Sequence, residues 1–338
     1  MNTSKPSGPN QPHSDQPQSE LSKGESYQHS PVAKHQYGIR VFIKGMAMGA
    51  ADAVPGVSGG TVAFISGIYE QLIESIRSIN PSLLLTWRKE GFKAVWQKID
   101  GNFLLTLLAG IISSILLLAH VISYLLEAQP VLLSAFFFGL VSASVLVIYG
   151  EITDRSWKTT VALLAGVILM LLVNQLMPTL DAGNPLHIFM AGSIAICAMI
   201  LPGISGSFLL LIMGVYGGVM HAVKNFELMT MLWFASGCAV GILVFSQILS
   251  WLLHRFYQTT LALLTGVLIG SLSQIWPWRQ VVSYKIDSHG RAAPITHDNL
   301  LPSVYEQLTG MNAQMVPALI LMILGFALVW FFYRQTDK

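Results

Sequence analysis

Pro55-Gly56-Val57-Ser58-Gly59 and Pro202-Gly203-Ile204-Ser205-Gly206 are two copies of one motif. Each runs into an apolar stretch ending at Gly-x-Tyr, with Gly67 and Tyr69 in one copy and Gly214 and Tyr216 in the other. The offset is 147 residues throughout (55 to 202, 58 to 205, 67 to 214, 69 to 216). Pro55 and Pro202 restrict the residue before them and suit the first turn of a helix, while Gly56 and Gly203 allow close backbone approach. These four residues set a hairpin tip that ends one half-helix and starts another. The helices beginning near Gly60 and Ser207 then aim free N–H groups and a positive dipole end past the tip, and such ends bind anions, phosphate above all. Hydroxyls of Ser58, Thr61, Ser205 and Ser207 add donors. The candidate phosphate-binding set is therefore Ser58, Gly59, Gly60, Thr61, Ser205, Gly206 and Ser207. A single copy of such a motif also reads as a packing hinge, since small residues let membrane helices approach closely. Two copies at equivalent positions of two halves point to a transport site.

Ionisable residues near the tips come next. Asp52 lies three residues before Pro55 among Ala, Gly, Met and Val, and Met199 holds the matching place in the second half. An ionisable residue at membrane depth is a candidate for proton transfer; the alternative is a cap on local backbone N–H groups. Glu70 and Glu74 are one helical turn apart, and Glu70 falls on the order of 14 Å beyond Thr61, near an interface if the tip reaches the midplane. Both are gating candidates or solvated helix ends. Arg40 and Lys44 precede the first tip and either snorkel or gather an anionic head-group. No catalytic residue, nucleotide loop, metal-ligand cluster, cofactor or nucleic-acid partner is expected. Cys197 and Cys238 fall in apolar runs and read as small buried hydrophobes.

These residues need a membrane scaffold. The chain has 338 residues, 53% hydrophobic and 11% charged, against about 25% charged in a soluble domain. Apolar segments fall at 41–78, 102–126, 131–149, 159–177, 188–220, 229–253, 259–276 and 315–333, and the first and fifth carry the motif. Residues 1–37 are polar and Pro-rich, without the apolar core of a signal peptide, and read as a disordered cytoplasmic tail. Arg77, Arg88, Lys89, Lys93 and Lys98 follow the first segment, and Arg155 and Lys158 follow the third, whereas the loops at 127–130 and 178–185 carry no Lys or Arg. This alternation puts both termini in the cytoplasm, provided the first and fifth segments enter and leave on one side. They are then re-entrant hairpins. The expected fold is an all-α polytopic membrane protein built as an inverted repeat: 38–177 with hairpin 41–78 and three spans, and 188–334 with hairpin 188–220, three spans and an outer loop 277–314. Residues 80–100 mix Trp87, Phe92 and Trp96 with basic residues and suit an amphipathic helix on the inner leaflet. Trp251, Tyr257, Trp276, Trp278, Trp330 and Tyr333 read as interface anchors.

The run from Gly45 through Asp52, Pro55, Gly56, Ser58, Gly59, Gly60 and Thr61 to Gly67, Tyr69 and Glu70 closely resembles the signature of the PopT family of bacterial integral-membrane proteins. Pro202 to Ser207, with Gly214 and Tyr216, is similar to that family's second motif, and the resemblance covers about Arg40 to the C-terminus. It implies a polyprenyl-phosphate lipid as partner, undecaprenyl phosphate above all, carried from outer to inner leaflet for reuse in cell-wall synthesis, in the bacterial cytoplasmic membrane. Undecaprenyl-pyrophosphate phosphatases have a similar motif with Arg after the Ser; here Gly59 and Gly206 stand there, which argues against handling a diphosphate and its transition state. A polyprenyl-diphosphate phosphatase and a secondary transporter of a small soluble anion remain the alternatives.

Overall fold

The computed structural model describes residues 36–52, 58–178, 180–286 and 292–336. Pro55, Gly56, residues 1–35 of the expected tail and 287–291 of the expected outer loop lie outside the described residues.

Both motif-bearing segments are three helices each. The first comprises α1 (Ile39–Asp52), α2 (Gly59–Ile65) and α3 (Tyr69–Arg77). α4 (Ser82–Lys98), α5 (Gly101–Ala128), α6 (Pro130–Glu151) and α7 (Trp157–Leu176) follow. The second comprises α8 (Pro185–Ile200), α9 (Gly206–Ile212) and α10 (Tyr216–Lys224). The second break in each falls at the Gly-x-Tyr, where Gly67 (φ +69°) and Gly214 (φ +80°) adopt the left-handed conformation that glycine reaches without strain. At the second of these breaks α9 and α10 bend by 110°.

All six expected spans are single helices: α5, α6, α7, α11 (Leu228–Arg255), α12 (Tyr257–Ser271, prolonged by a 3₁₀ turn at Leu272–Ile275) and α14 (Met315–Thr336). On the described residues, three helices are long and apolar enough to cross a membrane, and up to five spans result if each bent pair counts as one. The chain is thus a multi-pass, all-α membrane protein. One addition was not foreseen: residues 277–314 hold a β-hairpin, β1 (Arg279–Ile286) antiparallel to β2 (Ala292–Asn299), and a short helix α13 (Pro302–Thr309). β2 lies against α9. Trp278 is not an interface anchor: it is 4% exposed, with its Nε1–H on the Ala313 carbonyl, in a cluster with Val131, Tyr305 and Ala318.

Four helix pairs carry most of the packing: α1 on α5, α8 on α11, α6 on α14 and α7 on α12. Each crosses at reciprocal glycines that face the partner's carbonyls. Gly45 meets Leu107 and Gly110 meets Phe42; Gly192 meets Phe234 and Gly237 meets Phe189. Gly139 meets Met322 and Gly325 meets Phe136; Gly166 meets Leu263 and Gly266 meets Leu163. Apolar side chains are no stickier to each other than to lipid, so this close backbone approach supplies the association.

α4 departs from a simple amphipathic helix. It breaks at Gly91 (φ +81°, ψ 177°) into two arms.

Candidate functional site

The two motif tips meet. Ser58 caps α2, its Oγ accepting from the Gly60 N–H at 3.1 Å, and donates to the Met199 carbonyl at 3.0 Å. Gly203 donates its N–H to Thr61 Oγ1 at 2.8 Å. Ser58 and Thr61 are fully buried. A Cβ at Gly60 would fall 2.6 Å from the Ile200 carbonyl, so only glycine lets the tips come this close. Broken backbone at membrane depth is tolerated where protein partners it or where it lines a wet cavity. Here two backbone groups of the second segment, the Met199 carbonyl and the Gly203 N–H, are bonded by the first tip's hydroxyls.

The tips differ in how they treat their own N–H groups. At the first, Asp52 Oδ1 accepts from the Gly59 N–H at 2.6 Å, Ser58 takes that of Gly60, and the Ser58 carbonyl takes that of Thr61 at 2.9 Å. The first turn of α2 is fully capped, with a carboxylate sitting where an anionic ligand would sit. The capping alternative for Asp52 is thus what this conformation displays. At the second tip Met199 replaces the carboxylate, and α9 begins without a side-chain cap. Among the described residues, the N–H groups of Gly206, Ser207 and Phe208 find no acceptor. Ser205 and Ser207 share one hydroxyl bond at 3.0 Å, and Ser207 is exposed. The first tip is closed and self-satisfied, while the second is open and donor-rich.

Pro202 and Gly203 form the second turn, Gly203 at φ +89° against Ser271 of α12. Arg279, the first residue of β1, is half-buried just past that helix, its guanidinium on the Gln274 carbonyl. No carboxylate pairs with it among the described residues. Burial lowers its pKa from the ordinary arginine value, yet a guanidinium stays charged.

The remaining candidates lie away from the tips. Lys44 binds the Ser66 carbonyl and Gln36 at the C-terminal end of α2, the end where a cation is favoured. Arg40 is exposed on α1, and Glu70 is half-buried without a polar partner among the described residues. Glu74 links the first hairpin to α11: its Oε1 accepts from Ser250 Oγ at 2.5 Å with His254 Nδ1 at 3.7 Å, while Oε2 pairs with Arg77 at 3.2 Å. The sequence marks neither Ser250 nor His254 as a site residue, since that meaning depends on α11 lying beside α3.

A family model described as undecaprenyl phosphate translocase-like matches residues 48–293. A Vibrio cholerae protein named polyprenyl-phosphate transporter is 46% identical over 300 residues, covering 89% of this chain and 97% of its own. A Staphylococcus aureus protein of the same name is 33% identical over 253 residues, covering 70% of this chain and 85% of its own. No solved structure matches.

Proposed function

We propose that this chain, which belongs to the undecaprenyl phosphate translocase-like family, carries undecaprenyl phosphate or a related polyprenyl phosphate from the outer to the inner leaflet of the bacterial cytoplasmic membrane. The lipid returns for cell-wall polysaccharide synthesis, and a proton or ion gradient drives the step. The family and its named relatives are transporters, not enzymes.

The observation that carries this reading is the contrast between the tips. Phosphate binds first at the open tip, on the Gly206 and Ser207 N–H groups and the Ser205 and Ser207 hydroxyls. Gly59, Gly60, Ser58 and Thr61 form the matching cradle of the closed tip, where Asp52 occupies the anion's place. A proton on Asp52 removes its charge, weakens its hold on Gly59 and makes room for the phosphate there. Charge is then exchanged in place, and no naked phosphate has to cross apolar protein. The polyprenyl tail stays in lipid. Glu70 and Glu74 gate the inner side, Glu74 through Ser250, and Arg40 and Lys44 draw the head-group outward to the inner surface. The hairpin geometry rests on Pro55, Gly56, Pro202 and Gly203.

In this reading two re-entrant hairpins in an inverted repeat bring the tips in from opposite faces. The crossings support that symmetry. α1 on α5 corresponds to α8 on α11, and α6 on α14 to α12 on α7, with equivalent glycines at each crossing. On this reading both termini are cytoplasmic.

The test is purified protein in liposomes with a fluorescent short-chain polyprenyl phosphate. Accelerated exchange between leaflets, slowed by Ser207→Ala with Ser205→Ala, is expected. Exchange no faster than in protein-free liposomes would refute the proposal. Phosphate release from a polyprenyl diphosphate would favour the phosphatase alternative instead.

A further inference from the structure

We propose that α4 is a docking element for an anionic phospholipid surface, a role separate from the transport site. The two arms of α4 fold back on each other. Lys98 Nζ reaches Ser82 Oγ at 3.1 Å and Thr86 Oγ1 at 3.4 Å, although in an unbroken helix these positions are about 24 Å apart. Gly91 makes the reversal possible, since its φ of +81° with ψ of 177° is strained for any side-chain-bearing residue.

The folded pair buries nothing of its own. None of its 17 residues is buried, and Leu84, Leu85, Trp87 and Phe92 are each more than half exposed. Arg88, Lys89 and Lys93 are exposed beside them and pair with no carboxylate among the described residues. Exposed aliphatic and aromatic groups interleaved with unpaired cations suit an interface of acyl chains under phosphate head-groups. Water leaves the apolar tips unsatisfied, and a protein partner has to match both features at once.

The position of α4 favours the same occupant. Only Ile99 and Asp100 separate it from α5, and the Trp96 ring packs against Gly101 with its Nε1–H on Asn102 Oδ1 at 3.0 Å. The second arm is therefore fixed to the first turn of a long apolar helix. The equivalent link between α10 and α11 is only residues 225–227. With the inverted repeat of the proposed function, this element then stands on one face only, as expected of a device for the more anionic leaflet.

Hydrogen–deuterium exchange on the full chain in nanodiscs tests this. The comparison is zwitterionic phosphatidylcholine alone against the same lipid with about one-third phosphatidylglycerol. Amides of residues 82–98 should exchange about tenfold more slowly with the anionic lipid, while those of α13 stay unchanged. The triple variant Arg88→Gln, Lys89→Gln, Lys93→Gln should lose that difference, and about 0.5 M salt should shrink it. Phe92→Ser should raise exchange in both lipids. All four substitutions lie on the exposed surface, and an unchanged melting temperature confirms that the fold survives. Equal exchange in the two lipids overturns the proposal. So does protection that appears only when a polyprenyl phosphate is added to zwitterionic nanodiscs, since the substrate head-group is then what is recognised. Loss of transport activity with lipid-dependent protection intact would count against the transport reading alone.

Discussion

The bond between Asp52 and the Gly59 N–H can be broken from either end, and the two breaks should not add. It is 2.6 Å long and charge-assisted, a class worth about 1.5–3 kcal/mol against about 0.5–1.5 for a neutral bond. Asp52→Asn keeps an oxygen for Gly59 and should cost about 1 kcal/mol of stability. Asp52→Ala leaves the buried Gly59 N–H unpaired and should cost about 1–3 kcal/mol. Gly59→Ala attacks the same contact sterically: its Cβ would fall 2.5 Å from Oδ2 and 2.9 Å from Cγ of Asp52, expelling the carboxylate. Up to about 1 kcal/mol of helix propensity is regained by alanine, so the net loss should be about 1–2 kcal/mol. In the Asp52→Ala background the obstacle is gone, and Gly59→Ala should cost almost nothing, a coupling of about 1–2 kcal/mol. Thermal unfolding in detergent reads the stabilities, and leaflet exchange across pH reads the function. Asp52→Asn, which holds the tip's shape but cannot take up the proposed coupling proton, should flatten the pH profile of transport. Additive losses in the double variant, or an Asp52→Asn protein with the wild-type pH profile, would refute the reasoning.

Further outcomes follow from single contacts. Thr61→Val removes the acceptor of the buried Gly203 N–H and should lose about 1–3 kcal/mol, whereas Thr61→Ser keeps the oxygen and should lose under about 1 kcal/mol, as thermal melts would record. Gly110→Ala drives a methyl into the Phe42 carbonyl at the α1–α5 crossing and should cost about 1–3 kcal/mol, visible as a lower melting temperature. Asp154, in the loop before α7, is held below the ordinary carboxylate range by the Ser156 hydroxyl and N–H and then by Thr159. Its folded pKa lies below its unfolded one, so its contribution is complete above the unfolded value and vanishes as pH falls through the folded one. The melting-temperature gap between wild type and Asp154→Ala should therefore close on acidification below about pH 4.

Much of this was legible in the sequence because membrane proteins obey few rules strictly. The six long apolar segments outside the motifs each became a single helix, as their apolar length suggested, and the helix breaks followed from Pro-Gly in two copies. The second break, at Gly67 and Gly214, was visible as a Gly-x-Tyr but not as a turn, since an isolated glycine does not announce a positive φ. The reversal of α4 was hidden for the same reason: Gly91 reads as one weak helix residue until its backbone is seen. The β-hairpin in residues 277–314 was missed because a polar loop between spans carries no periodicity to read.

Composition and the 147-residue repeat determined by themselves that this is a polytopic membrane protein with two equivalent broken helices and donor groups at their tips. Those are local properties, set by hydropathy, by proline's missing N–H and by glycine's missing side chain. Which tip is open was decided only by the folded chain. Residues 141 and 142 positions apart must meet before Ser58 can bond Met199 or Thr61 can bond Gly203. The consequence of exchanging Asp52 for Met199 emerges only there: one helix end is closed by the protein's own carboxylate, and the other begins without a side-chain cap.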